Sequence, residues 1–356
     1  MYRPIVHRRY SLSNDPTKSG PWFDAHLDLA YLALGGRNMT APASEAGGKF
    51  ANASVTFPEL EEAGVKWALA TIFTAIGPDE PWRYESSDDL DGAHKAGVLQ
   101  LEQYQRWEDE GLIRIVRSAG DLKIEGPLAA VILMEGGDPI RDPSHADWWF
   151  QQGARVFGMS WFDGSRYSGG NRTKGPITDL GRDLIAALDE LGGIFDVSHF
   201  SDESAFEVLD RARGPVVATH SNSRALMRND DERHLSDELI SAVTARGGIV
   251  GLNLCSQFLT WEAAHWKELS EGRRASIAEA IDHTEHVAGL AARRTAVGLG
   301  SDMDGGFSAE WHPEGIDRVT DLKKLSEELA HRGWTPAEIE GFQYRNWLSF
   351  MEARLP

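Results

Sequence analysis

The sequence has little of what would make a disulfide-stapled, membrane-spanning or nucleic-acid-binding protein. Cys255 is the sole cysteine in 356 residues. A disulfide within the chain is therefore excluded, and so is a thiolate metal cluster, which leaves His, Asp and Glu as the only candidate metal ligands. Cys255 follows the apolar run Ile249-Val250-Gly251-Leu252-Asn253-Leu254 and reads as a small buried hydrophobe. Long hydrophobic runs are lacking too: nothing approaches the roughly 18 apolar residues of a membrane span. The opening MYRPIVHRRYSLSNDP has no apolar signal core and the closing SFMEARLP no anchor tail, so a soluble, cytoplasmic protein is expected. Positive charge is in deficit, with 36 Lys and Arg against 55 Asp and Glu and a net charge of −19. Such a surface repels phosphate backbones and anionic lipid, so neither nucleic acid nor membrane is expected as a partner. Its plainest role is solubility.

What the sequence does have is a core and a rhythm. Hydrophobic residues make up 41% of the chain, enough to bury a large interior. Length alone would suggest about two domains, but α/β barrels grow from about 250 to beyond 400 residues by loop insertion. Short apolar runs alternate with amphipathic stretches, the pattern of βα units around a parallel sheet. Strands are predicted at 22–28, 66–73, 129–134, 154–160, 194–198, 216–219, 249–254 and 296–301, with 112–116 as a lead-in to the third unit. Helices are predicted at 179–191, 201–213, 235–246 and 275–292; in the first of these Leu180, Leu184, Ala187, Leu188 and Leu191 share a face and Gly192-Gly193 ends it. The expected fold is one (β/α)₈ TIM barrel, residues 1–356 forming a single domain with 1–21 as an N-terminal extension. An open doubly wound sheet is the rival.

The residues that end the apolar runs favour the barrel. The first run ends Asp24-Ala25-His26-Leu27-Asp28, the third Met134-Glu135, the fifth Val197-Ser198-His199, the sixth Thr219-His220 and the eighth Ser301-Asp302. Strand ends of a barrel converge on one mouth, where barrel active sites lie. Side chains at i and i+2 of a strand share a face, so His26 and Asp28 are able to reach one ion. Asp24 lies one step deeper, as a partner that orients a ligand. A lone strand-end histidine is more often structural; convergence from five strands is what points to metal. Two divalent ions about 3.5–4 Å apart need a bridging anion. Asp28, Glu135, Asp302 and a hydroxide balance two dications, with three neutral imidazoles completing the shells.

These motifs resemble the membrane (renal) dipeptidase family, the M19 peptidases, within the amidohydrolase-like binuclear zinc barrels. The resemblance runs from about Phe23 to Phe350. DAHLDL at 24–29 is similar to the family's DGHNDL opening, MEGGDPI at 134–140 to its EGG segment, and PITDLGRDLIAALDELGGIFDVSHFSDES at 176–204 to its long helix–strand motif. THSNSRAL at 219–226 resembles SHSSARAL, and GLGSDMDG at 298–305 resembles GIGSDFDG. The resemblance implies one zinc held by His26, Asp28 and Glu135, and a second by Glu135, His199 and His220, with Glu135 and a hydroxide bridging the two Zn²⁺ ions. It implies Asp302 as the base beside the bridging water and Arg233 as the grip on the substrate's C-terminal carboxylate, with Arg228 as a competing alignment. It implies a dipeptide-like substrate, L,D-dipeptides included, and a homodimer.

One position departs from the pattern. Where the family reads roughly GVRYLTLTHN, this chain reads GARVFGMSWF, so Trp161 stands in place of a histidine that helps bind the reacting carbonyl. An indole offers one N–H donor and neither accepts a proton nor carries charge. Substrates other than dipeptides follow as an alternative: another carboxylated amide, an N-acyl amino acid or a lactone. A second alternative is a metal-binding protein that holds a carboxylated ligand without turnover. Asp304 is a second candidate for the base, though Asp302 is nearer the strand end. His283 and His286 are expected on an exposed helix face. His94, His145, His265 and His312 fall in loops, with no spacing to choose among them. Trp148, Trp149, Trp261, Trp266 and Trp311 are expected to be mainly packing, with one or two as pocket walls.

Overall fold

The computed structural model describes residues 20–50, 52–78, 80–263 and 273–356. The strands are β1 (Trp22–Leu27), β2 (Val65–Phe73), β3 (Ala75–Ile76), β4 (Arg83–Tyr84), β5 (Ile113–Ile115), β6 (Leu128–Glu135), β7 (Ala154–Gly158), β8 (Ile194–Asp196), β9 (Val216–Val217), β10 (Val250–Leu252) and β11 (Val297–Leu299). The main sheet is parallel, in the order β10-β11-β1-β2-β6-β7-β8-β9. Its two ends meet through a parallel bridge between Ala218 and Val250. Gly251 N–H donates to Ala218 O at 2.8 Å and Ser221 N–H to Gly251 O at 3.0 Å, so the sheet closes on itself. The architecture is the expected α/β TIM barrel.

The run at 112–116 has a place of its own. β5 pairs with the first half of β6, Ile113 opposite Leu128, while β7 begins opposite Ile132. One long strand thus serves two short neighbours on the same edge, and β5 sits below β7 outside the closed path. The pair β3–β4 lies in the loop after β2 and went unpredicted, because two-residue strands carry no periodicity.

Helices fill the outside for local reasons. Helix Asp179–Leu191 starts where Thr178 Oγ1 accepts Gly181 N–H and stops at Gly192, whose φ of +80° is the left-handed conformation glycine takes without strain. Helix Ile277–Leu290 opens with a reciprocal cap between Ser276 and Glu279. Among the described residues no helix is long and apolar enough to cross a membrane.

Alternation in β6 shows how the interior is layered. Ala130, Ile132 and Met134 pack in the large apolar cluster toward the helices. Ala129, Val131 and Leu133 pack in a second cluster with Phe23, Leu69, Val156, Ile194 and Val217, the barrel's interior. Trp347, from helix Asn346–Glu352, plugs the floor of that interior and stacks on Phe23 with centroids 6.2 Å apart. A side chain at Gly298 would collide with the Trp347 ring, which accounts for a glycine inside β11. Continuing the inner series 129, 131, 133 leads to Glu135, at the top of the barrel.

Candidate metal centre

Glu135 stands at the centre of a ring of histidines. Its Oε1 lies 3.2 Å from His199 Nε2 and 3.4 Å from His220 Nε2, and its Oε2 lies 3.6 Å from His26 Nε2. Asp28 Oδ2 is 3.9 Å from His26 Nε2. Ligand atoms of His26, Glu135 and His220 fall within 4.8 Å of one another, as do those of His26, Asp28 and Asp302. Zinc–ligand bonds of about 2.0–2.2 Å in tetrahedral geometry set ligand atoms about 3.4 Å apart, which is the spacing found. His26 Nε2 is buried with no hydrogen-bond partner, and the Nε2 atoms of His199 and His220 face each other at 2.9 Å. Nitrogens aimed at a common point, with a carboxylate between them, fit a cation pair.

The backbone at this end is bent to present these groups. His199 has a φ of +66° and Asp302 of +58°, left-handed conformations uncommon for residues with a side chain. Strain of this kind concentrates at functional sites. Behind the ligands lies a layer of hydrogen bonds. Asn171 Oδ1 lies 3.2 Å from His199 Nδ1, Thr219 Oγ1 lies 2.8 Å from His220 Nδ1, and Thr71 Oγ1 donates to Asp28 Oδ1. Each Nδ1 that meets an oxygen acceptor leaves its Nε2 lone pair for an ion. The sequence reading missed Asn171, Thr219 and Thr71, whose signal is limited to a short polar side chain near a ligand strand end.

Asp24 takes three donors: His26 N–H at 3.2 Å, Ser301 N–H at 2.8 Å and the Ser301 hydroxyl. It therefore reaches His26 through the backbone and ties β1 to the segment that carries Asp302. Asp302 receives Asn253 Nδ2–H on Oδ2 at 2.8 Å. Asp304 turns away from the metal ligands: Arg37, Ser54 N–H at 2.8 Å and Val55 N–H at 2.9 Å all donate to its Oδ2. Arg233 is buried, with Nη2 on His220 O at 2.8 Å and Nη1 on Ser221 Oγ at 3.2 Å, and its Nε has no partner. Arg228 is exposed, 5.4 Å from the Trp261 ring, so of the two arginines Arg233 is the one that converges on the ligands. Trp161 is half-buried at the side of the site, 6.2 Å from the His199 ring and edge-on to Phe73 at 4.8 Å.

Among the described residues, the other histidines singled out in the sequence have other partners. His283 is not on an exposed face: it is buried, Nδ1 accepting Ser223 N–H at 3.0 Å and Nε2 3.1 Å from Leu259 O. Helix Ile277–Leu290 buries 280, 281, 284 and 287, and 283 falls on that stripe. His286 pairs with Asp237 at 2.7 Å. His94 and His145 pack against Trp148, and His312 packs on Phe307. His265 and Trp266 lie outside the described residues.

Electrostatics set the ligands apart from ordinary buried groups. Burial alone would lower His26, but Glu135, Asp28 and Asp302 outweigh it and push its pKa up to about 10. Burial would raise Glu135, yet His26, His199 and His220 hold it well below the usual range. Burial, then repulsion from Asp28 and Glu135, pushes Asp302 up to about 8. Burial and the Arg233 charge press His199 down to about 4, and burial with the His26 and Arg233 charges presses His220 well below 6.5, so both are neutral lone-pair donors. Without metal the cluster retains protons to offset its crowded carboxylates, a role that divalent cations fill better.

Known proteins resemble this chain in sequence and fold. The family model of the membrane dipeptidases, peptidase family M19, matches residues 15–354. An uncharacterized protein of Klebsiella pneumoniae is 29% identical over 254 residues, 68% of this chain and 89% of its own length. Dipeptidase 3 of Macaca fascicularis is 28% identical over 172 residues, 48% of this chain, and the match spans only 32% of that longer protein. Among solved structures, a metallopeptidase of Rhodobacter sphaeroides bound to a phosphinate mimic of L-Ala-D-Ala superposes with a TM-score of 0.77 at 22% identity, covering 94% of this chain and 99% of that one. The probable dipeptidase PvdM of Pseudomonas aeruginosa does so with a TM-score of 0.77 at 20% identity, covering 94% and 95%. The chain belongs to the membrane dipeptidase family, peptidase family M19, and is a metallohydrolase of that class.

Proposed function

We propose that the protein is a binuclear zinc dipeptidase, cutting the amide bond of small dipeptides that carry a free C-terminal carboxylate. The observation that carries this reading is Glu135, with one oxygen toward His199 and His220 and the other toward His26. His26, Asp28 and Glu135 would hold one zinc, and Glu135, His199 and His220 the other. Bound there, such a pair supplies a water of lowered pKa and an electrophile for the scissile carbonyl.

The chain's own residues do the rest. Asp302, oriented by Asn253 on Oδ2, takes the proton of the attacking water and returns it to the leaving amine. Its burial raises its proton affinity, which suits a base. Arg233, fixed by His220 O and Ser221 Oγ, keeps further N–H donors for the substrate carboxylate and so selects dipeptides over longer chains. Trp161 walls the site beside His199 and offers one N–H donor where the resemblance places a histidine that helps bind the reacting carbonyl. That substitution favours one second reading, a related hydrolase of N-acyl amino acids, other carboxylated amides or lactones. The L-Ala-D-Ala mimic bound by the Rhodobacter protein supports testing L,D-dipeptides. The reading extends to a cytoplasmic protein without nucleic-acid or membrane partners, supported by the net charge of −19 and the single cysteine, and, on the family resemblance alone, to a homodimer.

The test is a panel of L,L-dipeptides, L,D-dipeptides, N-acyl amino acids and lactones offered to the zinc-loaded protein. Turnover of dipeptides with loss on capping the C-terminal carboxylate is expected. Turnover of N-acyl amino acids or lactones alone selects the second reading, and zinc binding without any turnover contradicts both.

A further inference from the structure

We propose that Asp196 and Thr219 form a relay that fixes the ring tautomers of two histidines at once, His220 and His26, and so serve as positioning residues for both halves of the site. This rests on the metal-site reading above. Neither residue is a ligand in that reading, and both are buried.

The case is one of donor counting. The Asp196 carboxylate accepts Ser198 N–H at 3.0 Å and Thr219 N–H at 2.9 Å on Oδ1. Its Oδ2 accepts the Thr219 hydroxyl at 2.6 Å. A threonine hydroxyl has one proton and two acceptor sites. With the proton committed to an acceptor-only carboxylate, Thr219 Oγ1 faces its remaining neighbours purely as an acceptor. Those neighbours are His220 Nδ1 at 2.8 Å and His26 Nδ1 at 3.5 Å. Each ring is thereby required to carry a hydrogen on Nδ1, so that Nε2, on the Glu135 side, is the nitrogen open to an ion once it has shed any proton of its own. The His26 and His220 rings lie 3.6 Å apart by centroid, so one oxygen reaches the backs of both.

A second strand-end carboxylate supplies the control. Asp24 makes the same local pattern, accepting the N–H two residues on, then the N–H and hydroxyl of Ser301 just beyond the adjacent strand β11. Yet Ser301 Oγ accepts from Met303 N–H at 3.2 Å and serves a backbone turn. The same clamp thus joins two strands in both places, and only at Asp196–Thr219 is it extended to imidazoles.

Loss of outer partners of metal-bound histidines typically costs about 10–100-fold in metal affinity. Thr219→Val removes the acceptor while keeping the shape, and Thr219→Ser keeps the hydroxyl. Asp196→Asn offers an amide N–H to Thr219 Oγ1, freeing the hydroxyl proton to point at His220 Nδ1 and favouring the wrong tautomer. The experiment measures zinc stoichiometry and affinity by chelator competition, with the thermal midpoint of each metal-free variant alongside. Expected are a fall of about 10–100-fold in zinc affinity for Thr219→Val and Asp196→Asn, and recovery in Thr219→Ser. A Thr219→Val protein that binds two zinc ions as tightly as the parent overturns the relay and leaves the metal site standing. A parent protein that takes up no zinc overturns the metal-site reading itself. If Thr219→Val does not fold, ¹⁵N spectra of the metal-free parent decide: His220 carrying its hydrogen on Nδ1 supports the relay, and on Nε2 contradicts it.

Discussion

The floor and the mouth of the barrel are built from the same strands and obey opposite rules. At the floor, inward positions are apolar and close-packed: Phe23 of β1 and Val131 of β6 meet Trp347 from the C-terminal helix. Three residues beyond Phe23, four beyond Val131 and two beyond Val217 of β9 stand His26, Glu135 and Thr219, each buried and polar. The floor gains stability from burial at roughly 25 cal/mol per Å² of apolar surface. The mouth forgoes that gain, crowds three carboxylates out of water and bends His199 and Asp302 into left-handed backbone. Conservative design is found where only stability is at stake, and broken rules where chemistry is.

Substitutions on the two sides should separate accordingly. The largest effect is expected at the mouth: His199→Ala should lose one zinc and more than about 100-fold of activity, beyond what outer partners cost. Its thermal midpoint in chelator should stay near that of the metal-free parent. Retained activity would remove His199 from the ligand set. Next comes the floor, where Phe23→Ala should lower stability by about 3–5 kcal/mol in denaturant titration while zinc content per folded chain is unchanged. A loss of metal there would mean that the two regions are not independent. Arg233→Met should raise KM for dipeptides by about 10–100-fold, as expected for a lost charged hydrogen bond, and change little for C-terminally amidated analogues. Equal loss on both substrates would assign Arg233 to structure alone.

The smallest effect concerns pH in chelated protein. Asp302, raised to about 8, and His26, raised to about 10, both bind protons more tightly folded than unfolded. Their contribution is therefore complete below the unfolded pKa, 3.8 for Asp302 and 6.5 for His26, and is lost as pH rises through the folded values. The metal-free protein should melt at lower temperature at pH 9 than at pH 6, and Asp302→Asn should flatten the trend. With zinc bound the trend should reverse over the same interval, because each ligand must shed its proton to bind. A metal-free melting curve indifferent to pH from 6 to 9 would mean that the mouth carries no such strain.

The floor and the mouth also differed in legibility. Apolar runs such as Leu128–Glu135 and Val65–Phe73 are strands by composition alone, and the strand-end acids and histidines stand out because no apolar pattern explains them. His283 is illegible in the sequence because apolar periodicity does not mark a polar side chain, whereas a buried imidazole with Ser223 and Leu259 as partners sits on the same stripe. The local pattern shows β5 only as a lead-in to the third unit, since pairing on half of one strand's edge is a property of register, which that pattern does not encode. Asp196 and Thr219 were invisible as a unit, because their hydrogen bonds join residues on two strands.

Anomalous diffraction at the zinc edge, from crystals of the zinc-loaded protein, tests the central claim most directly. Two peaks about 3.5–4 Å apart are predicted, one beside His26 and Asp28 and one beside His199 and His220, with Glu135 between them. A single peak, or zinc held anywhere that Glu135 does not touch, would contradict the account.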